Sequence, residues 1–567
     1  MTPRRANIVV AIVTGVVLAA ALAACWVVPY RLATTGARSF YAFVFIGDEG
    51  FYAARVQPLV RGATATNPVN GVCDPRMVSV FFLEDLLRAV ITVTGVDVIV
   101  FVWAWRWVLP AALLGLMVAL ARAAVARRRR PWSAALRYAA AAAGFMLLYN
   151  LYDLLIVFPP LQGWLNRFPT SIEFCLSVAI AWAFVHFSNG PSAGRGIILA
   201  LISAATVYLR PYAALGWAIA IPAAMIGLVV TKRVALRVAL VALAAVLLAT
   251  APWVGIALWN NRFPTQQEIV ARYFNPPLYQ VNPYWKLCLA MAVVFLLAAL
   301  WVRKQHRPFL LACGASMVAL PLVCGLFCFA RELVFDRFCV FYLVVLAAAG
   351  LLLLDRASQS WRGQQGWLAA RRWTIALSAV AVIGACRLAA ANWHYDFSKY
   401  PQGPYASMAD ELRYLPAYRW CREHTPESAL FLFDDGSDWH DGTFARDGLQ
   451  LANMLAQGDL FQIVARRRRV FSERLFCNSL SDEDCTALKV LHRATFGVVY
   501  KDAKGPLAAL ERFRPSHVFV RKERSGQRGL LPRLGAMSRT VYSDDVCEVW
   551  EIAYDAGAGR EQDAAGR

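Results

Sequence analysis

Runs of mostly apolar residues, each bounded by charged or turn-forming residues, recur along the first 391 positions and constrain the fold more than any other feature. They lie at Ile8–Val28, Val98–Ala121, Ala134–Phe158, Ile172–Phe187, Ile197–Leu209, Tyr212–Val230, Val238–Trp259, Tyr284–Val302, Phe309–Ala330, Phe338–Leu354 and Trp373–Ala391. A helix that crosses a bilayer needs about 20 such residues. The chain therefore reads as an α-helical polytopic membrane protein with about eleven transmembrane helices. Of its 567 residues 59% are hydrophobic and only 17% charged, against roughly a quarter charged in soluble domains. A soluble enzyme, a disordered chain and a fibrous repeat are excluded. The shortest run, Ile197–Leu209, meets Arg210-Pro211, where proline removes a helix donor and a break is expected.

Lys and Arg number 58 and Asp and Glu 37, a net charge of +21. In a soluble chain that surplus points to nucleic acid. Here the basic residues sit between apolar runs and read as topology signals, so no nucleic-acid partner is expected. With Arg4 and Arg5 inside, the cytoplasmic connections carry Arg127–Arg130, Arg195, Lys232-Arg233, Arg303-Lys304 and the stretch from Arg356 to Arg372. An odd number of crossings then turns both the long loop Tyr30–Asp97 and the tail after Ala391 outward. Two domains follow: a transmembrane module over 1–391 with its first outer loop at 30–97, and an extracytoplasmic α/β domain over 392–567. Leu22-Ala23-Ala24-Cys25 fits a lipoprotein cleavage pattern, but Trp26, Val27 and Val28 stay apolar, as in a helix still crossing.

Eight of the 13 cysteines lie in the apolar runs and read as small hydrophobes. Cys73, Cys421, Cys477, Cys485 and Cys547 face outward, where an oxidising exterior permits a bridge. Cys477 and Cys485 are the closest of these in sequence. None has the CxxC spacing of a zinc site.

The first outer loop reads Gly47-Asp48-Glu49-Gly50-Phe51-Tyr52-Ala53-Ala54-Arg55. Phe51, Tyr52, Val56, Leu59 and Val60 recur at helical spacing, the pattern of an amphipathic helix lying on a bilayer surface. Asp48 and Glu49 would occupy its first turn, where the helix dipole favours negative charge. They can be a simple cap. They are also placed as a carboxylate near the lipid surface must be to accept a proton from an attacking hydroxyl. A second such helix is expected over Met77–Thr94.

A short inside N-terminus, one helix, and a long outer loop with an acidic pair and aromatics resembles the GT-C superfamily of integral membrane glycosyltransferases. Bacterial members include protein mannosyltransferase-like and lipid A aminoarabinose transferase-like enzymes. The match in layout covers the whole chain, and the match in motif is confined to Gly47–Gly62. The resemblance implies residence in the bacterial inner (plasma) membrane and a polyprenyl-phosphate-linked sugar donor. It further implies transfer with inversion to a lipid, glycan or protein acceptor, and leaves room for a divalent metal. By it, Asp48 is the base with Glu49 as partner or alternative, and Tyr52 and Arg55 line the donor site. The tryptophan-rich motif of oligosaccharyltransferases has no convincing counterpart.

A lipid-phosphate leaving group calls for cationic neutralisation, and the arginine fork matches phosphate oxygens. Arg167, Arg210, Arg331 and Arg337 lie at outer ends of the apolar runs, as do Arg262 and Arg272. Each can instead serve to hold the helix at the headgroups. Arg210 stands apart because broken helices line cavities or protein-buried space. Arg106 and Asp153 sit deeper and are expected to pair with each other or serve substrate. Glu173 reads as a helix cap.

In the tail, strand-like runs at Ala429–Phe433, Gly497–Tyr500, His517–Val520 and Val546–Ile552 alternate with helix-like stretches at Asp410–Glu423, Asp482–Thr495 and Pro506–Phe513. That is an α/β pattern with part of the sheet parallel. Asp434–Asp438 lacks the EF-hand continuation and reads as a turn. Arg466–Arg469 reads as a solvated basic edge. No nucleophile elbow, Walker loop or Rossmann fingerprint is present, so the tail is expected to bind acceptor or cover the site. The competing classes are a lipid-linked glycan transporter or flippase, which usually shows repeated halves and midplane polar sites, and a non-catalytic scaffold with an outer binding domain.

Overall fold

A computed structural model of the chain describes residues 3–34, 82–125, 132–155, 168–264, 285–326, 331–359, 363–393, 412–434, 460–462, 464–469, 482–496, 504–522 and 529–554. They form two compact units. One comprises Met1–Thr34, Trp103–Ile256 and Tyr273–Tyr395; the other comprises Thr35–Val102, Ala257–Arg272 and Asp396–Arg567.

The first unit is built of helices: α1 (Pro3–Thr34), then, after α2 (Phe82–Thr94) of the second unit, α3 (Val98–Ala124), α4 (Trp132–Leu155), α5 (Phe168–Asn189), α6 (Ala193–Leu209), α7 (Pro211–Val230), α8 (Leu236–Asn260), α9 (Trp285–Trp301), α10 (Arg307–Leu326), α11 (Arg331–Gln359) and α12 (Gly363–Trp393). Over its described residues, and apart from Val302, every apolar run lies on one of these helices. Among the described residues, six stretches are long and apolar enough to cross a membrane: Val100–Ala124, Ser171–Asn189, Ala213–Val230, Leu236–Asn260, Cys339–Gln359 and Leu368–Trp393. The apolar parts of α1, α6, α9 and α10 are shorter.

The core forms around α11, which packs against α4, α5, α7, α9 and α10. Its stretch from Cys339 to Val345 is buried on every side, as expected of a helix with no polar face. By contrast, α8 leaves Leu240, Leu247, Leu248 and Leu258 exposed. An apolar helix bare over most of its circumference needs an apolar solvent, and a bilayer supplies one. The chain is a membrane protein.

Small residues set the helix spacing. A Cβ built on Gly216 of α7 would stand 2.7 Å from the Phe341 ring of α11. Close approach through glycine is a common device for packing helices in lipid. Gly216→Ala is expected to cost about 1–3 kcal/mol by overpacking. A lowered unfolding midpoint of the detergent-purified protein, partly restored by Phe341→Leu, would bear this out.

One end of the bundle is tied by tryptophans and backbone carbonyls. Trp26 Nε1 of α1 donates to Trp107 O of α3 at 3.0 Å, and Trp103 Nε1 donates to Pro29 O at 3.2 Å. Arg31 Nη1, in the last turn of α1, donates to Asn392 O, next to the last residue of α12, at 2.8 Å. Because α1 and α12 pack together and end at the same level, they run in the same direction. The start of α3 stands at that level too.

The opposite end is held by polar links. Arg303 meets the buried Asp355 through Nε–Oδ2 at 2.5 Å and Nη2–Oδ1 at 3.0 Å, a two-pronged pair. His306, in the link between α9 and α10, is buried with Nδ1 3.0 Å from Ser188 Oγ and Nε2 3.2 Å from Gln305 Nε2. An amide nitrogen only donates, so His306 Nε2 accepts and Nδ1–H donates to Ser188, whose hydroxyl passes on to Val185 O. Gln305 also donates to Asn189, and Asn189 to Ala123 O. This arrangement requires the neutral ring, and burial together with the Arg303 charge lowers the His306 pKa to about 4. An unfolded chain takes up that proton near pH 6.5. Stability from this group is therefore present above pH 6.5 and falls as pH drops towards 4, by on the order of 3 kcal/mol. Thermal unfolding between pH 7.5 and 4.5 should show the decline, and His306→Gln should flatten it.

The second unit contains a five-stranded sheet: β1 (Leu430–Phe433), β2 (Arg468–Arg469), β3 (His517–Arg521), β4 (Ser538–Ser543) and β5 (Cys547–Ile552), in the order β2-β1-β3-β5-β4. β1 is parallel to β2 and β3, while β3–β5 and β5–β4 are antiparallel. Strand alternation sends successive side chains to opposite faces. Leu432, Val518, Val520 and Trp550 pack with Leu488 and Leu491 of α14 (Asp482–Phe496) and Leu510 of α15 (Lys504–Phe513). Phe433 and Phe519 turn the other way and meet Tyr418 of α13 (Leu415–His424) and Phe461. Helices thus cover both faces. The short α16 (Leu531–Ala536) precedes β4.

The α/β pattern of the tail therefore holds for β1, β3, β5, α13, α14 and α15. The expected strand Gly497–Tyr500 lies outside the described residues. The solvated basic edge is corrected. Arg467 and Arg469 are buried, and Arg467 binds Thr425 Oγ1 at 2.9 Å, Arg422 O at 2.7 Å and Thr425 O at 2.6 Å. It closes the C-terminal end of α13, whose last carbonyls lack helix partners.

Candidate functional site

The break at Arg210-Pro211 is present. α6 stops at Leu209, Arg210 takes a non-helical conformation (φ −149°, ψ 76°), and α7 opens with Pro211 in its first turn. Proline is tolerated there because its missing N–H would be unsatisfied anyway. Arg210 N still donates to Thr206 O at 2.8 Å, so the corner is hydrogen-bonded.

The Arg210 side chain is buried against Glu173 of α5. Nε donates to Oε1 at 2.8 Å and Nη2 approaches the same oxygen at 2.6 Å. Arg210 is 9% exposed and Glu173 1%, so both charges are withdrawn from solvent. The capping role expected for Glu173 is thereby corrected: its carboxylate neutralises the arginine of a broken helix. Sequence reasoning treated the two residues separately. The available signal was that each carries a charge beside or within an apolar run, where opposite charges are expected to pair.

This pair stands near one identifiable end of the helical unit. Cys175 Sγ, two residues beyond Glu173, donates to Leu109 O of α3 at 3.8 Å. Leu109 lies six residues into α3 from Trp103, about 9 Å at the helical rise, and Trp103 binds Pro29 at the end of α1. Arg106, 2% exposed, lies on the intervening turn of α3. Among the described residues, the part of the bundle where α1 and α12 finish therefore holds Arg106, Glu173 and Arg210 buried. Arg106 is in α3 and Asp153 in α4, but the Asp153 side chain lies outside the described residues, as does the expected pairing between them.

Asp48, Glu49, Tyr52, Arg55 and Arg167 fall outside the described residues. Arg331 and Arg337 lie on the first turns of α11, and their side chains are likewise outside the description. The second helix expected in the first loop appears over its described residues as α2, ended by Gly95 at φ +68°, with Gly95 N donating to Ile91 O at 2.9 Å. Past it, Asp97 lies 4.0 Å from Arg466 of the tail, both in the second unit. Among the described residues, no group of three His, Cys, Asp or Glu side chains is placed to hold a metal ion.

No protein-family model and no curated protein matches this chain.

Proposed function

We propose that the protein is a GT-C-type membrane glycosyltransferase that moves a sugar from a polyprenyl-phosphate donor to an extracytoplasmic acceptor with inversion. The observation that carries this reading is the shared exit level of α1 and α12, fixed by Arg31 on Asn392. The chain leaves the helical unit at that end twice, once into the loop bearing Asp48-Glu49 and once into the tail. Two further features support it. Asp97 and Arg466 join the end of that loop to the tail within one unit. Arg106, Glu173 and Arg210 concentrate charge near the same end.

In this reading the eleven apolar runs all cross the inner membrane, with the N-terminus cytoplasmic and the tail outside. Asp48 accepts the proton of the attacking hydroxyl, with Glu49 as its partner. Arginines at the outer helix ends offset the charge of the departing lipid phosphate, the usual means of stabilising a leaving oxyanion. The tail binds acceptor. A flippase would carry its polar site at the midplane between repeated halves, whereas the charged groups here cluster towards one end.

Removal of the chain from its host tests this. Lipid-linked sugar should accumulate and one envelope glycan should lose a residue, both reversed by the wild-type chain. A lipid-linked sugar pool and glycan profile unaffected by the deletion would refute the proposal.

A further inference from the structure

α12 carries an exposed cation within its apolar surface. Arg387 lies six residues before the helix ends at Trp393, about 9 Å along the axis at the helical rise. It is exposed, as are Val382, Ile383 and Cys386 beside it. Bare apolar surface of this kind faces lipid, and a charge set in it needs a counter-charge or water.

The arginine is held in place by a neutral side chain. Its Nη1 donates to Asn150 Oδ1 of α4 at 3.0 Å. Asn150 is itself oriented by its amide, which donates to Met146 O at 2.8 Å and to Gly384 O of α12 at 3.4 Å. The two helices are close here: a Cβ built on Gly384 would stand 3.0 Å from Met146 Cβ. Arg387 meets Asn150 while Gly384 meets Met146, so α4 and α12 run in the same direction along this seam. One turn deeper, Leu147 of α4 is 44% exposed and Ile383 of α12 is 68% exposed.

Tryptophans mark the level of the arginine. Arg31 binds Asn392, and Trp26 and Arg387 each stand five positions before these residues on helices that run together. Trp26 and Arg387 therefore lie within about a turn of each other along the bundle. The Trp26 ring lies 5.5 Å from that of Trp107. Tryptophan concentrates where acyl chains give way to headgroups. Arg387 thus sits at the depth of the lipid phosphates, with bare apolar surface beneath it.

We propose that Arg387 and Asn150 form a binding site for the phosphate of a membrane phospholipid, whose acyl chains lie along Leu147 and Ile383. Asn150 accepts one of the five guanidinium protons and leaves the charge uncompensated; among the described residues no carboxylate meets Arg387. The remaining donors form a fork that matches phosphate oxygens. The occupant is a lipid and not free phosphate, because the site opens on the helix face that the bilayer covers. The site stands apart from sugar transfer and needs no assignment of which membrane side this end faces.

The test is native mass spectrometry of the delipidated full-length protein in detergent, titrated with phosphatidylglycerol. Wild type should hold one such lipid tightly, and Arg387→Met should hold it about tenfold more weakly, the loss expected for a charge-assisted hydrogen bond. Asn150→Asp supplies Arg387 with an internal carboxylate, so it should weaken the lipid alike while unfolding no earlier than wild type. That second variant keeps the test sound if Arg387→Met folds poorly. Diacylglycerol, which lacks the phosphate, should not be held, and inorganic phosphate should not displace the phospholipid. Equal lipid binding by wild type and both variants overturns the proposal and leaves Arg387 a general headgroup anchor. Displacement by inorganic phosphate, or preferential retention of undecaprenyl phosphate from an equimolar mixture, overturns the choice of occupant.

Discussion

Arg210→Ala is expected to destabilise the helical unit by about 3–5 kcal/mol, because it strands the Glu173 carboxylate in a buried site without its partner. Glu173→Ala should cost a similar amount by stranding the arginine. The double replacement Arg210→Met with Glu173→Leu removes both charges together and should recover most of the loss, since a buried ion pair and an apolar pair of similar volume are often nearly equivalent. Thermal unfolding in detergent reads this directly, and independent, additive losses would show that the two side chains are not coupled. The same double variant separates structure from function: a protein folded as well as wild type that no longer transfers sugar assigns the ion-paired corner a role in the reaction.

Asp48→Asn is the second change with a large expected effect. The amide keeps the size and one hydrogen-bond acceptor but cannot take a proton, and a positioned general base is worth about 10²–10⁴-fold in rate. Transfer should fall by that factor with protein abundance unchanged, since a surface-helix cap contributes only about 1 kcal/mol. Glu49→Gln should cost less if Glu49 is the partner. A reversed order of the two losses would exchange their roles.

How much the sequence disclosed depended on how local each signal was. Apolar periodicity and length placed the helices because a membrane helix satisfies its own backbone within one segment. The break at Arg210 was legible for the same reason: a single Arg-Pro step causes it. β4 was not, since Ser538–Ser543 is an antiparallel edge strand with half-exposed polar residues and no alternating apolar face. The Arg210–Glu173 contact joins residues 37 apart, and no segment read alone contains it. Arg466–Arg469 misled because a run of charge usually faces water. Here the carbonyls at the end of α13 supply acceptors that take Arg467 inside.

The most direct measurement is donor turnover by the purified protein in lipid nanodiscs, given radiolabelled lipid-linked sugars and acceptor extracted from its own membranes. The account predicts release of polyprenyl phosphate and appearance of the sugar on acceptor with the opposite anomeric configuration, both lost in Asp48→Asn. Donor left intact by the wild-type protein, or consumed equally by Asp48→Asn, would contradict it.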